Sequence, residues 1–171
     1  MQEDSKDKIH VYYGEYYRSL FNYGIKLINN EDVVRDGIQD CFYNLWMNPE
    51  KLERIEKPRN YLIGTLRNLL LKQIASAKNS SGLDEIHAFE VSTQEAIIDS
   101  EIEAINSQKL QRAIDTLTPK QKEVLYLRFY EGLSYEEIEQ ITSTNYQSAR
   151  NLLSKTIKNL RKAVLVFLMF F

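Results

Sequence analysis

Cysteine occurs once in this chain of 171 residues, at Cys41, which excludes an internal disulfide framework and fits a reducing compartment. Glycine and proline are scarce, six and three in all. β-branched runs are also few, so strand-and-turn architectures are disfavoured and an all-α protein is predicted. No Gly-rich phosphate loop and no nucleophile elbow occurs. The two histidines, His10 and His87, lie far apart without ligand-spaced cysteines, so neither a metal site nor a cofactor is predicted. The opening stretch MQEDSKDKIHVYYGEYY lacks the apolar core of a signal peptide, which predicts a cytoplasmic chain. No apolar run approaches the roughly 20 residues needed to span a bilayer, so no membrane insertion is expected.

What is present is helical punctuation. Apolar and aromatic residues recur at helical spacing over 13–28 and 31–46, where Val34, Ile38, Cys41, Phe42 and Leu45 form one stripe. The second helix should stop at Asn48-Pro49, because the residue before proline is pushed out of the α region. A short charged stretch, 50–57, follows. Pro58 then suits the first position of a third helix carrying Leu62, Leu66, Leu70 and Ile74. The tyrosines near the start and Trp46 read as core, with Trp46 also placed to anchor an interface.

Charge is partitioned along the chain although its formal net value is only −2. Residues 84–108 hold seven acids and no Lys or Arg, which reads as a linker leading into a helix near Thr93. Residues 145–163 hold five cations (Arg150, Lys155, Lys158, Arg161 and Lys162) and no acid. A basic helix on a slightly acidic protein suggests that it meets a polyanion.

The C-terminal third carries three capping patterns. Thr118-Pro119-Lys120-Gln121 and Ser134-Tyr135-Glu136-Glu137 each combine a hydroxyl cap with an acceptor three residues on, and Gly132 between them is a natural helix stop. Thr144-Asn145-Tyr146-Gln147 suggests a third box. Two helices joined by a tight turn result. The second has an apolar stripe (Ala149, Leu152, Leu153, Ile157, Leu160) opposite Gln147, Ser148, Arg150, Asn151, Ser154, Lys155 and Lys158. Amide, hydroxyl and Arg groups of this kind read base edges in a major groove, and lysines suit phosphates. A helical hairpin that binds protein is the alternative. The apolar run 164–171 is predicted to pack as a tail or to dock on a partner.

These segments together resemble the sigma-70 superfamily, in particular sigma factors of the extracytoplasmic-function type as found in Bacteroidetes. DGIQDCFYNLWMNPEKL from Asp36 is similar to the polymerase-binding helix of region 2, and PRNYLIGTLRNLLLKQI from Pro58 to the helix that contacts the minus-10 promoter element. LTPKQKEVLYLRFYEGLSYEEIEQI from Leu117, followed by YQSARNLLSKTIKNLRK, is similar to region 4, which reads the minus-35 element. The resemblance implies two small helical domains joined by an acidic linker: region 2 over 8–78, linker 79–107, region 4 over 108–165 and an apolar tail 166–171. Asp36, Gln39, Asp40, Phe42 and Trp46 would hold the β′ subunit of core RNA polymerase, with β as a further contact. Asn48, Lys57, Arg59, Asn60, Tyr61, Arg67, Asn68 and Lys72 would serve the minus-10 element, with the loop 48–57 accepting a flipped base. Gln147, Ser148, Arg150, Asn151, Ser154, Lys155 and Lys158 would serve the minus-35 element. The linker would follow the RNA-exit path, its acidity mimicking nucleic acid. Promoter DNA and an anti-sigma factor, often membrane-anchored, are the implied partners, and no catalysis is implied. The sequence departs from the family pattern at Tyr61, where tryptophan is usual, and at Ala149 and Lys155, where valine and arginine are expected. A free-standing helix–turn–helix regulator and a sigma-like adaptor remain as alternatives.

Overall fold

A computed structural model describes residues 2–81, 89–91 and 111–169, with side chains over 6–76, 89–91 and 111–158. Among the described residues there is no strand. The helices are α1 (Gln2–Leu27), α2 (Glu31–Trp46), α3 (Pro49–Arg54), α4 (Pro58–Ser81), α5 (111–115), α6 (Pro119–Phe129), α7 (Tyr135–Thr142) and α8 (Tyr146–Met169). They form two compact units, the first built from α1–α4 and the second from α5–α8 apart from Gln140–Thr142.

In the first unit α1, α2 and α4 pack against one another, with α3 against α1 and α2. The α2 cap is Asn30, whose side chain accepts from Val33 N at 3.1 Å, and Glu31 and Asp32 complement the positive end of the helix. Leu20, Tyr23, Val34, Ile38, Cys41, Leu45, Leu66 and Leu70 are buried, each aliphatic worth about 1.5–3 kcal/mol relative to exposure. Helix α1 and helix α2 come close at Gly24, where an added methyl would lie 2.6 Å from Val34 Cγ1. Burial pushes the Cys41 thiol up to about 12, so it stays protonated at neutral pH.

Three expectations change here. Helix α1 starts at Gln2, not Tyr13; Ile9 is buried and Lys6 Nζ sits 5.3 Å from the Trp46 ring centre, so a mostly polar segment is held by few contacts. The charged stretch after Pro49 is not a loop but the short helix α3, with Leu52 buried beneath it. The aromatics of α1 are only partly core. Tyr23 is buried, whereas Tyr13 and Tyr17 meet at a tilt along the helix at 5.2 Å and Tyr17 stacks on Phe21 at 6.1 Å, all half-buried or exposed.

In the second unit α6 packs on α8, around a core that includes Ile114, Leu117, Val124, Leu127, Leu133, Ile138, Ala149 and Leu153. Two of the three expected capping boxes form. Thr118 Oγ1 accepts from Gln121 N at 3.3 Å while Thr118 N donates to Gln121 Oε1 at 2.9 Å. Ser134 and Glu137 exchange the same pair of bonds at 3.3 and 2.7 Å. Between the boxes the chain turns at Gly132, φ +68°, a left-handed position where a side chain is strained. Arg128 secures this corner: its Nη1 donates to Leu133 O at 2.7 Å and its guanidinium lies 5.3 Å from the Tyr135 ring centre.

The third cap differs from expectation. Asn145, not Thr144, caps α8, accepting from Ser148 N at 2.7 Å, while Thr144 is buried in the turn. The expected helix near Thr93 lies outside the described residues. Helix α8 runs on through Met169, and the side chains of the expected apolar tail also lie outside the description.

Thr156 on α8 is fully buried and, among the described residues, its hydroxyl has no hydrogen-bond partner. An orphaned buried polar group costs about 1–3 kcal/mol. Thr156→Val keeps the shape and removes the hydroxyl, so chemical denaturation should show a second unit more stable by about 1 kcal/mol or more. Unchanged or lower stability would count against the orphan.

Candidate nucleic-acid interface

Helix α8 is two-sided. Ala149, Leu153 and Thr156 are buried at spacings of four and three residues, which fixes one face inward. Gln147, Ser148, Arg150, Asn151, Ser154, Lys155 and Lys158 are all exposed. Apart from Ser148, these recur at intervals of one, three or four residues along a single outer face. Acidic residues are absent from the whole helix, its first turn included. A helix about 10–12 Å across fits a major groove about 12 Å wide.

Two contacts aim this helix. The rings of Tyr135 at the start of α7 and Tyr146 at the start of α8 meet edge to face, centroids 5.6 Å apart. Ser143, φ +53°, provides the left-handed residue that turns the chain between them. On the outer face Gln147 Nε2 donates to Asn151 Oδ1 at 3.0 Å, so the two amides one turn apart are oriented before any DNA arrives.

The region-2 candidates fall into three groups. Asp36, Gln39 and Asp40 are exposed on α2. Trp46, expected as core, is 51% exposed at the end of the same helix. Phe42 is the reverse: it is 6% exposed and its ring packs edge-on against Tyr13 at 5.0 Å, so it shapes the surface from below instead of forming it. Tyr43 and Met47, which the sequence reading missed, are 63% and 59% exposed beside Trp46. Their spacing, seven residues beyond Asp36 and Asp40, was the available signal.

On α4 and its approach, Lys57, Asn68 and Lys72 are exposed, and Arg59, Asn60, Tyr61 and Arg67 are half-buried. Arg59 Nη2 reaches Ser19 Oγ at 3.5 Å, leaning toward α1. Asn48 is half-buried at the other end of α3, its side chain donating to Asn44 O at 2.8 Å. Asn48 therefore ends α2 as a structural stop, while Lys57, Asn68 and Lys72 present the open polar surface. Among the described residues no group of His, Cys, Asp or Glu side chains is placed to hold a metal ion, and no helix is long and apolar enough to cross a membrane.

Residues 12–80 match sigma-70 region 2, and residues 107–160 match sigma-70 region 4. The chain is 24% identical over 147 residues to RNA polymerase sigma factor SigV of Bacillus subtilis (strain 168), covering 86% of this chain and 82% of that one. Its fold is similar to that of the sigma factor RpoE, solved in complex with the anti-sigma factor NepR from Bartonella quintana: TM-score 0.63, 21% identity, 90% of this chain and 94% of that chain. Two regions in this order, joined by an acidic segment, with an exposed basic helix in the second, place the chain in the sigma-70 family, as an alternative sigma factor of the extracytoplasmic-function type that directs transcription initiation by RNA polymerase.

Proposed function

We propose that the two units divide promoter recognition between them: region 2 over about 8–78 engages polymerase and the minus-10 element, and region 4 over about 108–165 reads the minus-35 element. The observation that carries this reading is the acid-free outer face of α8, exposed at all seven candidate positions while Ala149, Leu153 and Thr156 hold the opposite face inward. Gln147, Arg150 and Asn151 read base edges; Lys155 and Lys158 meet phosphates, with Ser148 and Ser154 between.

In region 2, Asp36, Gln39, Asp40 and Trp46 hold the polymerase β′ subunit, with Tyr43 and Met47 widening the apolar part of that face. Phe42 supports it from within. Lys57, Asn68 and Lys72 contact the minus-10 strand, joined by Arg59, Asn60, Tyr61 and Arg67 where they edge the surface. Extruding a base costs a few kcal/mol, which these contacts must offset. The protein works in the cytoplasm, adds no catalysis of its own, and is restrained by an anti-sigma factor that covers its exposed apolar surfaces.

Isolated DNA binding is weak on this reading. The two lysines assigned to phosphates, Lys155 and Lys158, contribute about −2 to the slope of log K against log salt. Run-off transcription with core polymerase on a template bearing both elements tests the reading. Promoter-specific transcripts that need this protein support it. Tight sequence-specific binding to DNA without polymerase, and no transcript, would instead make it a free-standing helix–turn–helix regulator.

A further inference from the structure

The structure describes three residues between α4 and α5, and they are not stray chain. Phe89 is 2% exposed and Val91 3%, although Glu90 between them faces solvent. The Phe89 ring packs against Tyr126 of α6, centroids 5.8 Å apart, and Tyr126 in turn stacks on Tyr130 at 5.0 Å. Val91 O accepts a hydrogen bond from Gln111 Nε2 of α5 at 2.9 Å. Gln111 Nε2 also donates to Asp115 Oδ1 at 2.9 Å, which holds the amide in place. Alternating buried, exposed and buried residues, with a backbone carbonyl captured by a positioned side chain, is how an extended peptide is bound by a surface.

We propose that Phe89–Val91 are an intramolecular peptide ligand, a clip seated on α5 and α6 that shortens the tether between the two regions and is pulled out when both promoter elements are engaged. The inference rests on the bipartite reading above. Elements named minus-10 and minus-35 lie about 25 base pairs apart, or about 85 Å at 3.4 Å per pair. With the clip shut, only the eight residue steps from Ser81 to Phe89 connect α4 to the second unit, at most about 28 Å of chain. With it open, thirty steps separate Ser81 from Gln111, more than three times as many. Helix α4 is itself about 36 Å long, so the shut form offers about 64 Å from the start of α4 to Phe89, short of that spacing. Opening lengthens the tether toward that spacing.

A bis-maleimide of about 10 Å reach, joining Glu90→Cys and Arg112→Cys, traps the shut state; Cys41 is buried and stays out of the reaction. Crosslinking should be efficient in the otherwise native protein and fall at least fivefold when Phe89→Ala or Gln111→Ala is added. The crosslinked protein should lose at least tenfold in transcription from a two-element template relative to the same protein before crosslinking. Equal crosslinking with and without Phe89→Ala overturns the clip. Full transcription by the crosslinked protein overturns its opening. If the uncrosslinked double variant and the native chain both give no promoter-specific transcript, the sigma reading fails instead, and the crosslinking yields still decide whether the clip exists.

Discussion

Replacing Arg150 with alanine is expected to lower promoter discrimination by about 1–3 kcal/mol, roughly five- to 150-fold, confined to one or two base positions of the minus-35 element. Arg150 is exposed near the N-terminal end of α8, within the turn spanned by the Gln147–Asn151 amide pair, and that end of a recognition helix meets base edges. A guanidinium forks onto two acceptors of one guanine, which an ammonium cannot do, so Arg150→Lys should recover charge but little discrimination. Lys158 lies two turns farther along, where phosphates are the partners. Lys158→Ala should weaken all templates alike and reduce the salt slope by about 1. Competition transcription over a set of single-base promoter variants checks both. A uniform loss for Arg150→Ala would assign that residue to the backbone of the DNA.

Gly24→Ala is expected to destabilise the first unit even though alanine is the better helix former by up to about 1 kcal/mol. The new methyl would sit 2.6 Å from Val34 Cγ1, 3.1 Å from Cγ2 and 3.4 Å from Cβ. Valine in a helix is held to one χ1 rotamer, so it cannot swing away and α1 must shift off α2. Overpacking of this kind costs about 1–3 kcal/mol. Gly14 on the same helix is the control, since nothing lies within 4 Å of a methyl built there. Gly14→Ala should stabilise by about 0.5–1 kcal/mol. Urea titrations of both variants, and of Gly24→Ala combined with Val34→Ala, separate the terms. The combination should recover most of the loss, and failure to do so would place the cause outside the α1–α2 contact.

Local chemistry explains what could be read from the sequence. The boxes at Thr118 and Ser134, the turn at Gly132 and the two-sided pattern of α8 each depend on residues within a few positions of one another, so spacing alone exposed them. The apolar stripe of α2 already turned Phe42 inward, where Tyr13 of α1 packs against it, whereas Trp46, read as core, ends exposed because nothing in the stripe marks where the covering helix stops. Helix α3 and the first turns of α1 hold few apolar residues; single anchors, Leu52 and Ile9, secure them, and one residue makes no period. At the head of α8 both Thr144 and Asn145 can cap, and the burial of Thr144 made the choice. The seat of Phe89 was invisible because Tyr126 lies far along the chain and the surrounding sequence reads as a run of acids.

The state of Cys41 bears on how this protein can be informed of its surroundings. Sulfur reacts with peroxides and electrophiles as thiolate, and the chain's one thiol is both shielded from solvent and held protonated. Disulfide, sulfenate and mixed-thiol chemistry therefore find no foothold in the folded chain. A thiol-based oxidative signal that alters transcription through this protein has to be sensed by another molecule and delivered by contact.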